Sequence, residues 1–302
     1  MCMRRKLVKQ GSSTMMISLP YSWIQEQGLQ KGDEVLLDAM GNDLVISADS
    51  KVIGRETSIS IDGLDESFIR VLLTTAYRKG YDRISVVMSG KDHYTLIQSL
   101  VQRFLLGFEI IQQRDTSVII ESVSEPSIDH FDTMLQKVFL NIDELLVLIG
   151  DDIFKGRKVK REIIEDVEDR IQRYDHFCRR VLSKRKSSEV RAEFLWTFLT
   201  LLVHGQRELY KLFGYTSLKK SSFSLEYYVE SISKMIQCLR QGYFDRSKKA
   251  LFNVHSLYNK TIDKGFNQLR RTRGDEIIVL HCLLASIRQF YLASSPLTGV
   301  VF

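Results

Sequence analysis

Proline is scarce in this sequence, with only three in 302 residues. Because proline cannot donate a backbone hydrogen bond and fixes φ, each one predicts a boundary. Pro20 suits the first turn of a short helix, Pro126 precedes a long helical region, and Pro296 is expected to end that region. So few breaks predict long, uninterrupted elements in the second half of the chain.

Paired cysteines and long hydrophobic runs are also missing. The four cysteines are widely spaced and form no Cys-x-x-Cys motif, which predicts small buried side chains in a reducing compartment. The longest apolar runs, such as residues 194–203, are shorter than the roughly 20 residues that cross a bilayer, and no signal peptide is visible. We therefore expect a cytoplasmic protein with no membrane insertion.

The composition is that of a globular protein, with 44% hydrophobic and 26% charged residues. A chain of 302 residues is long enough for two or three domains. The formal net charge of +6 permits a nucleic acid or another acidic surface as partner, but does not require one.

Positive charge is concentrated at the beginning of the chain. The first predicted strand opens with the basic residues Arg4, Arg5, Lys6 and Lys9, and no acidic residue lies near them in sequence. The rest of the first 50 residues contains six acidic residues. Such an asymmetry favours contact between one edge of the module and a phosphate backbone.

The first 50 residues have the pattern of a small β-rich unit. Apolar residues alternate on both sides of the turn at residues 11–13, as in half-buried strands. A helix is predicted from Pro20 to about Gln27, followed by a hairpin that turns at Gly41-Asn42. A unit this short cannot bury enough apolar surface alone, so we expect it to pair with a second copy.

These residues resemble the swapped-hairpin AbrB/SpoVT family of DNA-binding modules. The resemblance covers about 45 residues and runs in order through the basic strand, Gly11-Ser-Ser13, Leu19-Pro20, the helix, Gly28-Leu29 and Lys31-Gly-Asp33. It implies an interleaved homodimer that sets basic residues against double-stranded DNA. The residues implied to contact DNA are Arg4, Arg5, Lys6 and Lys9, with Ser12 and Ser13 donating to phosphate. The alternative is a solvated basic edge that discourages aggregation.

A middle segment, residues 56–125, predicts a compact α+β domain with the order β-α-β-α-β-β. It contains no glycine-rich phosphate loop and no paired carboxylates beside a base. No nucleophile–base pair or complete metal site is evident elsewhere in the sequence. We therefore predict that the protein is not an enzyme and carries no cofactor.

Helical periodicity begins after Pro126 and continues through residues 127–295. Apolar residues from Phe131 to Ile149 recur at alternating steps of four and three, typical of a bundle helix. Two successive sets of helices, 127–215 and 223–295, suggest a tandem repeat of three-helix units. The expected fold is thus multi-domain α+β: a swapped-hairpin β module, a small α+β domain and an all-α region.

Several segments resemble archaeal proteins that join an AbrB-type module to a PhoU domain. They are Gly63-Leu-Asp-Glu66, residues 76–82, residues 126–128 and residues 168–182. The resemblance implies two three-helix bundles, negative regulation of phosphate uptake and of phosphate-responsive genes, and, in many family members, surface metal clusters.

The metal motif of that family, Glu-x-x-x-Asp, is incomplete in this chain. The two corresponding positions are Glu168-x-x-x-Gln172 and Asn259-x-x-x-Asp263, each with one carboxylate replaced by a neutral amide. Carboxylates four residues apart share a helix face and can hold a cation together, whereas an amide is a weaker ligand. We therefore predict no bound metal, with Glu168 and Asp263 on a solvated face.

For the other basic residues and the histidines, a structural role is favoured over a role in binding. Residues 155–161 and the stretch from Arg179-Arg180 to residues 184–186 are rich in lysine and arginine. Such runs usually form a solvated face, and an additional anion or DNA contact is the alternative. His176 and His204 lack metal-ligand spacing, so satisfied core or surface positions are expected.

The sequence thus favours a DNA-binding transcriptional regulator of phosphate uptake or phosphate-responsive genes, with a degenerate PhoU-like bundle for sensing or oligomerisation. The alternative is an accessory protein that does not bind DNA and regulates a phosphate transporter or signalling kinase through its helical surface. In that case the N-terminal module would serve dimerisation only.

Overall fold

The structure, a computed structural model, describes most of the chain. The described residues are 5–12, 14–40, 43–48, 55–89, 93–124, 130–154, 157–184, 190–214 and 225–302. The chain divides into two compact units, residues 1–54 and residues 55–302. The protein is mixed α+β, with small sheets and a helical C-terminal region.

The first unit contains two antiparallel hairpins and a short helix in its described residues. Strands β1 (Val8–Gln10) and β2 (Thr14–Met16) form the first hairpin. Helix α1 (Tyr21–Glu26) follows Pro20, as predicted, and the chain leaves it at Gly28 with φ +65°, a conformation that favours glycine. Strands β3 (Val35–Met40) and β4 (Asp43–Ala48) form the second hairpin.

The second unit begins with an α+β region whose order is the one the sequence predicts. Its elements are β5 (Glu56–Ser60), α2 (Glu66–Arg78), β6 (Arg83–Val87), α3 (His93–Phe104), β7 (Phe108–Arg114) and β8 (Ser117–Ser122). The sheet order is β5-β6-β8-β7, with β5 and β6 parallel and the other neighbours antiparallel. Asp65 caps α2 by accepting a hydrogen bond from the Phe68 amide at 2.7 Å. Buried side chains of both helices and of the sheet form one hydrophobic core.

Long helices make up the rest of the second unit. They are α4 (His130–Ile149), α5 (Arg161–Lys184), α6 (Val190–Tyr210), α7 (Glu226–Phe244), α8 (Lys248–Leu269) and α9 (Glu276–Val301). A π-helical turn (Gly150–Phe154) follows α4, and a 3₁₀ turn (Lys211–Gly214) follows α6. All six contribute to one continuous hydrophobic core in the described part of the chain. The division into two repeated sets therefore stays a prediction.

Helices α6 and α9 approach each other closely and run antiparallel. A Cβ on Gly205 would lie 2.7 Å from the Phe290 ring, and one on Gly299 would lie 2.8 Å from the Phe194 ring. The Ser286 hydroxyl also donates a hydrogen bond to the Gly205 carbonyl at 2.9 Å. Each helix thus packs an aromatic ring against a glycine of the other helix.

The prediction that Pro296 ends the helical region is wrong. Pro296 is buried inside α9, which continues to Val301. Proline removes one backbone hydrogen bond, but Leu297 beyond it is fully buried in the helical core, and Val300 and Val301 pack against that core. Burial of those side chains outweighs the local cost, so tertiary packing carries the helix past the proline.

Helix α9 is relevant to the prediction that the chain has no membrane-spanning segment. Among the described residues it alone is long and apolar enough to cross a bilayer by length and composition. However, 56% of its most apolar window is buried inside the protein, as in the core helix of a bundle. No uninterrupted apolar run marks this helix in the sequence, because polar residues such as His281, Ser286 and Arg288 interrupt it.

Helix α5 connects the helical core to the α+β region. The Arg180 side chain is fully buried and donates to the backbone carbonyls of Tyr77, at 3.2 Å, and Tyr81, at 2.7 Å. It also forms an ion pair with Asp82, which accepts a second hydrogen bond from Lys184 at 2.5 Å. The predicted solvated face at Arg179-Arg180 is therefore wrong, because both side chains are buried where α5 packs against other elements.

Candidate nucleic-acid interface

The first hairpin carries the basic residues that the sequence predicts to contact DNA. Its register pairs Val8 with Met16, Lys9 with Met15 and Gln10 with Thr14. Gly11, with φ +77°, opens the turn between the strands. Because facing residues of antiparallel strands share a face, Lys9 lies on the same face as Met15, while Val8 and Met16 occupy the opposite face.

The predicted contact residues that the structure describes are all exposed: Arg5, Lys6, Lys9 and Ser12. Arg5 and Lys6 lie in the segment that leads into β1, Lys9 lies within it, and Ser12 lies at the turn. Arg4 and Ser13 lie outside the described residues. The hairpin therefore presents three cations and a hydroxyl along one short segment, with Lys9 beside an apolar neighbour.

The second hairpin presents an apolar face. Its register pairs Leu37 with Ile46 and Ala39 with Leu44, which places Val35, Leu37, Leu44 and Ile46 on one side. Leu37 and Leu44 are each 58% exposed. No other element within the described residues of this unit covers that side enough to bury them.

The first unit has no buried core of its own. None of its described residues for which burial is defined, from residue 5 to residue 46, falls in the buried class. Large apolar side chains are instead open to solvent, including Leu7 at 69% and Met15 at 60% exposure. Since burial of apolar area is the main favourable term in folding, a single copy leaves much of that term unused.

The incomplete metal motifs lie in the second unit. The Gln172 amide donates a hydrogen bond to the Glu168 carboxylate, so this pair is occupied internally. Burial raises the pKa of Glu168, and the Gln172 hydrogen bond opposes that rise only in part. Glu168 is half-buried rather than solvated as predicted, whereas Asp263 is exposed. Within the described ranges, no group of three or more His, Cys, Asp or Glu side chains could hold a metal ion.

The cysteines that the structure describes are free thiols. Cys178 and Cys282 are buried, as the sequence predicts, whereas Cys238 is only half-buried, and Cys2 lies outside the described residues. Burial raises the pKa of all three, which keeps them protonated and poorly reactive.

Sequence reasoning missed a second polar site, a cationic cleft in the second unit. Side chains from α2, α5 and α6 line it, among them Arg78, His176, Arg179 and Arg207. These residues are separated by up to about 130 positions in the sequence, and no local motif links them. The only sequence signal was the arginine pair at 179–180, for which an anion contact was the alternative interpretation.

In comparisons with known proteins, no family model, no curated protein and no solved structure matches this chain. The resemblances to AbrB/SpoVT modules and to PhoU domains therefore support proposals only.

Proposed function

We propose that this protein is a DNA-binding transcriptional regulator that acts as a homodimer through its N-terminal unit. The observation that carries the proposal is the first unit itself, in which an exposed basic hairpin is joined to a hairpin with an uncovered apolar face. The apolar face needs a partner surface, and the basic segment suits a phosphate backbone. Two copies joined through the apolar faces would double the cationic surface available to one duplex.

In this proposal the arginines and lysines supply affinity that does not depend on sequence. Arg5, Lys6 and Lys9 would contact phosphates, together with Arg4, while Ser12 and Ser13 would donate hydrogen bonds. Choice of operator would come from the spacing of the two copies and from DNA shape.

The second unit would serve as the sensing or oligomerisation part of the regulator. Six long helices with one shared core support a PhoU-like bundle, in which the two three-helix sets stay a prediction. By this resemblance the regulated genes would be those of phosphate uptake or of the phosphate response. The internally bonded Glu168–Gln172 pair agrees with a bundle that has lost the metal-binding role of the family.

The DNA-binding proposal is tested by removing charge from the basic hairpin. Replacing Arg4, Arg5 and Lys9 together by glutamine should weaken binding to double-stranded DNA and flatten its salt dependence. Each DNA phosphate that is no longer neutralised should remove about 0.9 from the slope of log K against log salt concentration. A mobility-shift titration of the full chain at several salt concentrations measures both quantities.

A charge-matched variant separates local contact from a general effect of net charge. Lys249→Gln, Lys260→Gln and Arg288→Gln together remove the same charge from exposed positions on α8 and α9. This control should keep the wild-type salt slope. Equal weakening in both triple variants, or no binding of duplex DNA by the wild-type protein at low salt, would contradict the proposal and favour the accessory role.

A further inference from the structure

A cavity of about 370 Å³ opens among α2, α5 and α6 in the second unit. Its polar lining includes the Thr75 and Thr200 hydroxyls, and its walls include Trp196 and Val203. A cavity of this size falls within the range of small-molecule sites. It is larger than a bound inorganic ion needs, so a small organic ligand suits it better.

The floor of the cavity is a buried, ordered polar group on α5. Arg179 Nε lies 3.0 and 2.8 Å from the two carboxylate oxygens of Asp175, and Arg179 Nη1 donates to Thr200 Oγ1 at 3.1 Å. The Arg179 guanidinium also stacks over the Trp196 ring, 4.9 Å from its centroid. These contacts hold the guanidinium in one orientation, as a binding group requires.

His176 lines the same cavity, and one of its ring nitrogens has no close hydrogen-bond partner in the protein. Its side chain is about 94% buried, and its Nδ1 makes no hydrogen bond. The nearest acidic atom, Asp175 Oδ2, is 3.6 Å away. Burial lowers the pKa of His176, so the ring is neutral near pH 7. A buried polar atom without a partner is costly, and a ligand or water in the cavity would relieve that cost.

Positive charge exceeds negative charge around the opening. The lining residues include the cations Arg78, Lys79, Arg179 and Arg207, and Asp175 is the one acid among them. Burial and the charges of Arg179 and Arg207 lower the pKa of Arg78. These cations therefore repel one another, and an anion placed between them would be stabilised.

One acidic side chain outside the lining offsets part of this charge. Glu168, on α5, lies within electrostatic range of Arg207, and the hydrogen bond that its carboxylate accepts from the neutral Gln172 amide does not change its charge. The four cations of the lining still outnumber Asp175 and Glu168. Arg78 donates to the Thr74 carbonyl at 3.2 Å and to the Thr75 hydroxyl at 3.1 Å. Both of those partners are neutral, so they orient the guanidinium without compensating its charge.

We infer that this cleft is the binding site of a small organic phosphate. The phosphate would lie between Arg78 and Arg207 at the rim, where the guanidinium groups match its oxygens. The organic part would lie toward Trp196 and Val203. A bound ligand would contact α2 of the α+β region as well as α5 and α6 of the helical region. Binding would therefore stabilise the position of these helices relative to one another. The inference does not depend on the proposed DNA binding.

Trp196 provides a direct readout of binding. The sequence has only two tryptophans, so Trp23→Phe leaves Trp196 as the sole indole. In this background we expect AMP and ribose 5-phosphate to change the Trp196 fluorescence saturably, and adenosine to leave it unchanged. Inorganic phosphate tests whether the phosphate group alone is sufficient. Calorimetry of the full chain with the same compounds gives the stoichiometry and dissociation constants.

Arg207 is the residue to change, because it is exposed and its replacement leaves the buried floor intact. Arg207→Gln should weaken AMP binding at least about tenfold, which corresponds to loss of one charge-assisted hydrogen bond. Arg207→Lys should recover part of the affinity. Arg114→Gln, an exposed change of equal charge on β7, should leave binding unaltered.

Three results would overturn the inference. One is the absence of saturable binding by any of the phosphate compounds. Another is equal weakening by Arg207→Gln and Arg114→Gln. The third is displacement of AMP by potassium chloride as effectively as by sulfate at equal ionic strength, which would indicate general screening instead of a site. Binding of inorganic phosphate as tightly as AMP would support the cleft as a phosphate site and identify the free anion as sufficient. None of these outcomes depends on DNA.

Discussion

The two units of this protein obtain their stability in different ways. In residues 55–302, buried side chains form two hydrophobic cores, one in the α+β region and one shared by the long helices. In the first unit, none of the described residues with a defined burial is buried, and Leu37 and Leu44 are more than half exposed. The second unit buries its apolar side chains within one chain, whereas the described part of the first unit leaves large apolar side chains exposed.

This difference is the basis of the proposed homodimer. A small set of hairpins buries too little surface to be stable alone. In the proposed homodimer, the apolar face of β3 and β4 would form one half of a core that two chains share. The basic hairpins of the two copies would then face the same DNA duplex.

The largest effect is expected from Arg180, which links the two regions of the second unit. Arg180→Met would leave two backbone carbonyls without their donor and Asp82 without its buried partner. Breaking such a buried pair typically costs about 3–5 kcal/mol, so the free energy of unfolding should fall by that order in a urea titration. Arg161→Met, at an exposed position on the same helix, is the control and should change little. Equal stability of the two variants would show that the connection between the regions depends on other contacts.

A smaller effect is expected from placing a charge on the apolar face of the first unit. Leu37→Lys should raise the dimer dissociation constant at least about tenfold, because it places a charge in the proposed shared core. Sedimentation velocity of the full chain over a concentration series measures this. The control is Phe252→Lys, which changes an apolar side chain of α8 that is 69% exposed. A dimer that resists Leu37→Lys but dissociates with Phe252→Lys would move the interface to the helices.

The smallest effect is a pH dependence at Asp82. Burial acts to raise the pKa of Asp82, but hydrogen bonds and charges from Lys184 and Arg180 outweigh it and hold the pKa below its ordinary value of 3.8. A carboxylate with a lowered pKa stabilises the fold above its unfolded pKa, and that contribution is lost as the pH falls through the folded pKa.

Asp82→Asn should therefore lower the free energy of unfolding at pH 7, and the difference from wild type should shrink below about pH 4. Urea titrations at a series of pH values follow it. Asp263→Asn, at an exposed position on α8, should show no such trend. If the difference in free energy of unfolding between Asp82→Asn and wild type is constant with pH, the charge of Asp82 does not contribute to stability.

Local patterns predicted the elements well where neighbouring residues decide them. Alternation identified the strands of both hairpins, and Pro20 and Gly28 identified the limits of α1. The turn predicted at Gly41-Asn42 lies outside the described residues. The β-α-β-α-β-β order followed from changes of period along residues 56–125. Predictions failed where distant packing overrides a local preference, as at Pro296, which lies within a helix because the apolar residues beyond it reach the core.

The candidate sites divide in the same way. Arg5, Lys6, Lys9 and Ser12 were predictable because neighbouring residues share one hairpin. The cleft was not, since Arg78, Arg179 and Arg207 come from three helices that meet only in the folded second unit.

The sequence by itself determined the order of the secondary-structure elements and the basic character of the first hairpin, because both depend on residues close together in the chain. Only the tertiary structure decided that Arg180 is buried, that α9 passes its proline and that the cationic cleft exists. Each of these depends on apolar burial and charge pairing between segments that are distant in sequence. Local sequence patterns do not predict which of these segments come into contact.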